Sequence, residues 1–504
     1  MLSPFMEVDA RTLGTPVLDA DVCIVGAGPA GLILARELTS RGRRVVLLES
    51  GGRNPDPVAQ ALCEGTTTGD TYDSPALTRH RQAGGTARVW NTWFGHEMGA
   101  KYVPLDAVDF EARAWWPLSG WPFDRTHLDP YYARAQALCG LGFRTYDGEE
   151  WESPDRPRLD LAPGPFTTRV YQFGPSRLFT EIHLDEVRRA RTVLLCLNAT
   201  AVALERDPDA RSVTHVRAAC GTGPALRVRA RLVVLAAGGI ENARLLLLAK
   251  VGDESEMLGR CFMEHPRDVS CRLVPADPRL LDRCGLYDLH QGAGGIVAGR
   301  LSLTDEARRR LELPAMSITL QPLPRELRWP AAEALRTLVR GPRERPRTGW
   351  WHGGRTSRRL AAFELLINLE QAPDPDNRVS LGGDRDRFGL PRAAIHWRWR
   401  AFDQQNLARI HAILAAELQR SGLGRIEIDG AASPDPNAHH HMGTTRMHRD
   451  PRRGVVDEHA RVHGIVNLFV AGSSVFPTGG FANPTLTIVA LALRLAAHLD
   501  KQLA

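Results

Sequence analysis

The sequence predicts a mixed α/β fold in two domains, on three observations. A buried strand pattern at residues 21–25 enters the loop Gly26, Ala27, Gly28, Pro29, Ala30, Gly31; an amphipathic helix pattern at 32–40 and a second strand at 44–48, ending at Glu49, follow. Much later, residues 232–235 form another buried strand that ends in Ala236, Ala237, Gly238 and Gly239, ahead of a helix pattern at 240–250. Residues 468–474 add a late strand of the same kind, able to return to the first sheet. At 504 residues the chain is too long for one compact core, so a second domain is expected between these segments.

The first segment is the most specific. A Gly-x-Gly-x-x-Gly run alone is weak, but strand, loop, helix, strand and terminal acid in that order mark a Rossmann-like dinucleotide site. The glycines permit a tight turn and close backbone approach to a pyrophosphate, and the helix N-terminus supplies N–H donors for its charge. Glu49 can accept from ribose hydroxyls. Residues 221–226 begin like a second such loop, but the third glycine is missing and 226–230 alternate as a strand does. A hairpin turn is expected there, and one dinucleotide fold rather than two. Gly84, Gly85 and Thr86 place two glycines where backbone can pass close to a ring or phosphate. With the strands at 232–235 and 468–474, they favour FAD over NAD.

Composition narrows the class further. The chain is 43% hydrophobic and 24% charged, ordinary for a globular protein. There is no run of about 18 apolar residues, so no membrane span is expected. Residues 1–20 lack a basic start followed by an apolar core, which predicts a cytoplasmic protein. The eight cysteines include no CxxC pair, and several sit in strand patterns, as Cys23 and Cys196 do; they read as small buried hydrophobes. The net charge of +6 rests on arginine, since the lysines are Lys101, Lys250 and Lys501. It does not describe a nucleic-acid footprint. The one basic concentration, residues 325–359, interleaves ten arginines with Trp329, Trp350 and Trp351, and reads as a solvated loop or a docking face.

The second chemical signature is His439, His440, His441, Met442, Gly443, Thr444, Thr445, Arg446, followed by the strand into Gly472 and Ser473 and then by Asn483-Pro484. A His–Asn pair suits acid/base work: His supplies a base of near-neutral pKa, about 6.5. Asn can hold a reacting oxygen without titrating. Adjacent histidines in an extended chain alternate direction and do not converge, so no metal is expected. Asn483 can also be read as a helix N-cap.

On residues 21–49, 84–90, 233–247, 259–266, 370–381 and 440–497, taken in order, the chain resembles the glucose-methanol-choline (GMC) flavin-dependent alcohol oxidoreductases. Within them it looks most like the pyranose-oxidase-like branch of bacterial sugar and glycoside oxidoreductases. The resemblance implies FAD with its pyrophosphate at Gly26, Gly28 and Gly31, its ribose at Glu49 and its adenine at the Val202 backbone. Gly84, Gly85 and Thr86 would lie against the cofactor, and Gly472 and Ser473 along the ribityl chain. Many members carry Asp at the place of Gly472, so that contact falls here to backbone or water. Val89 stands at the place of the flavin-linking His of fungal pyranose oxidases and cannot form that bond, so the FAD should be non-covalent. Family position makes His440 the base and Asn483 its partner, with His439 and His441 as competitors and His265 in a supporting place.

The implied architecture is a discontinuous FAD domain at 15–100, 190–268 and 455–504. The substrate domain at 101–189 and 269–454 would be built on an antiparallel sheet with helices. The implied reaction oxidises a ring hydroxyl of a sugar or glycoside to a carbonyl, with oxygen, a quinone or a redox protein as electron acceptor. An aminoglycoside-like pseudosugar is the alternative substrate. A flavin-binding redox carrier without turnover is the alternative of another class, against which the pair His440 and Asn483 speaks.

Overall fold

The computed structural model describes residues 7–14, 17–90, 92–94, 97–142, 145–209, 211–221, 225–252, 256–325, 348–428, 435–436 and 438–504. Most of the basic stretch at 325–359 and the tip of the turn at 221–226 lie outside them. Two large sheets organise the chain, one of eight strands and one of nine.

The eight-stranded sheet is the nucleotide fold. Its parallel centre places Val17–Val25 between Val45–Leu48 and the long strand Leu226–Leu235, with Val193–Leu197 and Glu7–Asp9 beyond Val45–Leu48. These strands are near-continuous runs of Val, Leu, Ile and Cys, the composition of strands covered on both faces. Val22, Cys23, Ile24 and Val25 are each 5% exposed or less. The late strand Leu468–Val470 pairs in parallel with Val233, Val234 and Leu235, so the end of the chain does return to the first sheet. Thr200–Arg206 and Val213–Ala219 complete it as an antiparallel meander onto Leu226–Leu235. Residues 213–235 therefore form the hairpin expected around 221–226. The helices Pro29–Ser40 and Arg125–Leu138 both pack against the final helix Thr485–Leu503.

The nine-stranded sheet is antiparallel throughout. It runs Gly424–Ile428, Arg267–Pro275, Leu360–Leu369, Met316–Pro324, Gly295–Leu303, Phe166–Pro175, Glu97–Tyr102 and Thr92–Phe94, with His290–Gly292 added at Gly295–Leu303. Residues 92–94, 97–100 and 267–268, grouped by sequence with the nucleotide domain, are part of this sheet. Pro391–Trp397 joins Arg378–Arg385 and Gly65–Gly69 in a small third sheet. The helix Ala401–Arg420 buries Leu407, Ile410, Leu414 and Leu418, as its spacing predicts. All eight cysteines are buried and unpaired. Among the described residues no helix is long and apolar enough to cross a membrane.

Candidate active site

One cavity of about 440 Å³ opens where the two large sheets meet. Its nucleotide half is lined by Gly26, Gly28, Pro29, Glu49, Gly85, Thr86, Gly238, Gly472 and Ser473. The three glycines of the loop divide their work. A Cβ on Gly31 would stand 1.9 Å from the Gly26 carbonyl, and one on Gly26 would stand 2.6 Å from the Ala236 carbonyl, so both are required by packing. A Cβ on Gly28 would meet no protein atom within 4 Å, and the same holds at Gly238 and Gly472. Glycine at these three is not demanded by protein neighbours, and each faces the cavity. Gly472 also has φ +107°, which disfavours any side chain there.

The helix Pro29–Ser40 begins at this cavity with no side-chain cap, leaving its first N–H groups for a ligand. Glu49 is buried. One carboxylate oxygen accepts from the Ala27 N–H and the other from the Gly51 N–H, both at 2.9 Å, and burial raises its pKa. Each oxygen retains a second acceptor site toward the cavity. The Gly84–Gly85 turn locks onto the loop: the Gly84 N–H donates to the Ala27 carbonyl at 2.9 Å, and a Cβ on Gly85 would stand 3.1 Å from Gly28 Cα. These walls fit an extended dinucleotide.

Three expected contacts are placed differently. Val202 is not in the cavity wall; Ala199, Thr200 and Ala201 are, with the Thr200 hydroxyl 2.8 Å from that of Ser50. Gly31 lies behind the loop rather than on the cavity. Gly84 also stands off the cavity, packed on Thr180.

The other half of the cavity is lined by Lys101, Arg267, Leu366, Asn368, His440 and Asn483. The His440 segment is held by several hydrogen bonds. Met442 exchanges backbone hydrogen bonds with Met263 at 3.0 and 3.1 Å, the Ser473 hydroxyl donates to the His441 carbonyl at 2.7 Å, and the Thr444 hydroxyl donates to the Gly239 carbonyl. The His440 N–H donates to Glu264 Oε2 at 2.7 Å.

The ring contacts of His440 fix its tautomer. His265 Nε2 lies 3.3 Å from the Gly479 carbonyl, which can only accept, so this nitrogen carries the proton. His265 Nδ1 is then an acceptor, and it lies 2.8 Å from His440 Nδ1, which must donate. His440 Nε2 is left with its lone pair, 3.0 Å from the Asn483 amide nitrogen, which donates to it. Hydrogen placement follows here from the partners. Both rings stay neutral at pH 7. Burial pushes His265 down to about 4, and His440 is held well below the ordinary histidine value by burial, then by His265, Lys101 and Arg267. A hydroxyl set between His440 Nε2 and the Asn483 amide would give its proton to the first and accept from the second.

The neighbouring histidines also line the cavity, but their rings have other partners. His439 Nε2 lies 3.2 Å from Asp73. His441 packs on Phe262 with ring centroids 5.7 Å apart, its Nε2 3.6 Å from Glu264. Asn483 precedes the N-cap of the last helix, which is Pro484, and its amide is spent on His440 rather than on capping. The sequence reading did not single out Glu264, Lys101, Arg267 or Asn368. Glu264 is fully buried, accepts from the Tyr72 hydroxyl and the His440 N–H, and is pushed up to about 8 by burial. Among the described residues, Asp268, Cys271 and His411 are the one group close enough to share a cation, but His411 Nε2 already pairs with Asp268 at 2.9 Å.

Residues 19–245 match the family described as FAD binding domain, and residues 373–492 match GMC oxidoreductase. The chain is 26% identical to the fructose dehydrogenase large subunit of Gluconobacter japonicus, over 96% of this chain and 98% of that protein. It is 26% identical to paromamine 6'-oxidase of Streptomyces fradiae, over 94% of this chain and 90% of that one. The structure is similar to that of pyridoxine 4-oxidase from Mesorbium loti, with a TM-score of 0.56 and 18% identity over 95% of this chain and 99% of that chain.

Proposed function

Because this chain belongs to the GMC oxidoreductases and is an FAD-dependent enzyme acting on CH–OH groups, we propose that it oxidises a ring hydroxyl of a sugar or glycoside to the carbonyl. The observation that carries this reading is the His440–Asn483 pair, 3.0 Å apart, in the same cavity as the nucleotide loop. FAD would supply the hydride acceptor for the carbinol carbon. Gly26, Gly28, Glu49, Gly85, Thr86, Gly472 and Ser473 would hold it. His440 Nε2 takes the hydroxyl proton, His265 fixes the ring that does so, and Asn483 holds the oxygen as charge builds on it. Likeness to a fructose dehydrogenase and to a paromamine oxidase supports a polyhydroxylated ring as substrate. Anaerobic bleaching of the flavin against a panel of sugars, glycosides, polyols and aminocyclitols tests it. If simple aliphatic alcohols bleach the flavin and no ring alcohol does, the sugar reading is wrong.

Two further results are expected. The purified protein should be yellow, and acid or heat denaturation should release all its flavin to the supernatant. Val89 lines the cavity but has no atom able to bond the flavin; yellow precipitated protein would contradict this. Asn483→Ala should slow single-turnover flavin reduction about 10²–10³-fold, the scale of losing one oxyanion donor. Its melting temperature and flavin spectrum should stay close to wild type, since the amide caps no helix. A capping role would instead cost about 1 kcal/mol of stability and leave the rate alone.

A further inference from the structure

Charge is distributed unevenly along the cavity. On the nucleotide side, Arg79 and Arg81 are matched by Glu241 at 3.1 and 2.9 Å. On the His440 side, Arg267 is matched by Asp435 at 2.6 Å. Lys101 is different. It stands on the strand Glu97–Tyr102, lines the cavity together with His440 and Asn483, and is half-buried. Among the described residues it has no carboxylate partner; its ammonium sits 4.3 Å from the centroid of the Tyr171 ring. Behind the same ring lies Arg300, 1% exposed, 5.2 Å from the centroid and likewise without a carboxylate partner among the described residues. The described lining residues of this half include no Asp or Glu. A half-buried ammonium that keeps no counter-ion and faces a cavity is costly unless something anionic arrives.

We propose that the substrate is an acidic sugar, a ring alcohol carrying one carboxylate, and that Lys101 receives that carboxylate while His440 and Asn483 engage the hydroxyl. This rests on the ring-alcohol reading of the same site and narrows it. A single ammonium matches the single charge of a carboxylate better than a phosphate dianion. The same field opposes protonated amines, so polycationic aminocyclitols are disfavoured as substrates despite the likeness to a paromamine oxidase. After burial and His265, Lys101 also adds to what keeps the His440 ring neutral.

The test compares methyl glucuronide, methyl glucoside and methyl glucosaminide on the FAD-loaded protein, by stopped-flow flavin reduction. The glucuronide should exceed the glucoside in kcat/KM by about tenfold or more, the scale of a charge-assisted hydrogen bond, with the glucosaminide lowest. Lys101→Met should lower the glucuronide-to-glucoside ratio by about tenfold, chiefly through KM, and Lys101→Arg should restore most of it. Raising NaCl from about 50 to about 500 mM should weaken the glucuronide alone. A wild-type ratio near one, or a ratio unchanged in Lys101→Met, overturns the proposal while leaving the ring-alcohol reading intact. If none of the three reduces the flavin, that reading fails instead. Lys101 is then judged by thermal stabilisation of the holoprotein with glucuronate, which must be present in wild type and absent in Lys101→Met for the anion site to stand.

Discussion

His440→Ala should fold, keep its FAD and lose flavin reduction by its alcohol about 10²–10⁴-fold, the range for losing a positioned general base. The loss should fall on the single-turnover reduction step, since the ring is proposed to take the hydroxyl proton and not to hold the nucleotide. His441→Ala should cost far less in rate, because that ring packs on Phe262 and faces Glu264. A large loss at His441 with little at His440 would reverse the assignment. The pH dependence follows from the direction of the shift. A base held below about 6.5 is already unprotonated at neutrality, so the reduction rate should stay level from pH 8 down to 6.5 and fall only at lower pH. A fall centred above pH 7 would show that His440 is mostly charged at neutrality, contrary to its surroundings.

The largest expected effect on stability lies beneath the site. Arg113 and Glu370 form a two-pronged pair at 2.7 and 3.0 Å, with both side chains essentially buried. Arg308 joins it, 2.6 Å from Asp109 and 3.6 Å from Glu370. Burial works to raise the Glu370 pKa, but Arg113 beside it brings it below the ordinary value. Arg113→Met would leave a buried carboxylate short of its main partner, which costs about 3–5 kcal/mol. The urea midpoint of the holoprotein should fall accordingly. The double variant Arg113→Met, Glu370→Met should be less destabilised than the single one, since it removes both charges together. If Arg113→Met shifts the midpoint by the equivalent of less than about 1 kcal/mol, then Arg308 alone neutralises Glu370. The pair also bears on catalysis. Asp109 in this network packs against Gly480 and accepts from the Thr478 hydroxyl through its carbonyl, flanking the Gly479 carbonyl that sets the His265 tautomer.

What could be read from the sequence was local. The loop from Gly26 to Gly31, the strand ends at Glu49 and Gly238, and the spacing of Leu407, Ile410 and Leu414 each carry their meaning within about twenty residues. His440 and Asn483 were legible because each stands in a motif of its own. The rest depends on strand pairing across long stretches of chain. Lys101, Arg267 and Asn368 sit on three strands of the nine-stranded sheet, and only the register that sets Arg267 opposite Asn368 brings two of them side by side. No local pattern announces such a meeting. Pro391–Trp397 reads as an ordinary strand, and nothing within it shows that its parallel partner is Gly65–Gly69, more than 300 residues earlier.

The strand Leu468–Val470 has a consequence for how the chain is made. It completes the parallel centre of the nucleotide sheet, beside strands synthesised more than 230 residues earlier. On the ribosome, the glycine loop and its first helix emerge early, but the wall that carries Gly472 and Ser473 cannot be laid down until more than 400 further residues have been translated. The intervening antiparallel sheet is therefore complete in sequence while the cofactor cradle is still open on one side. A chain that stops before residue 468 lacks the strand that brings Gly472 and Ser473 to the pocket.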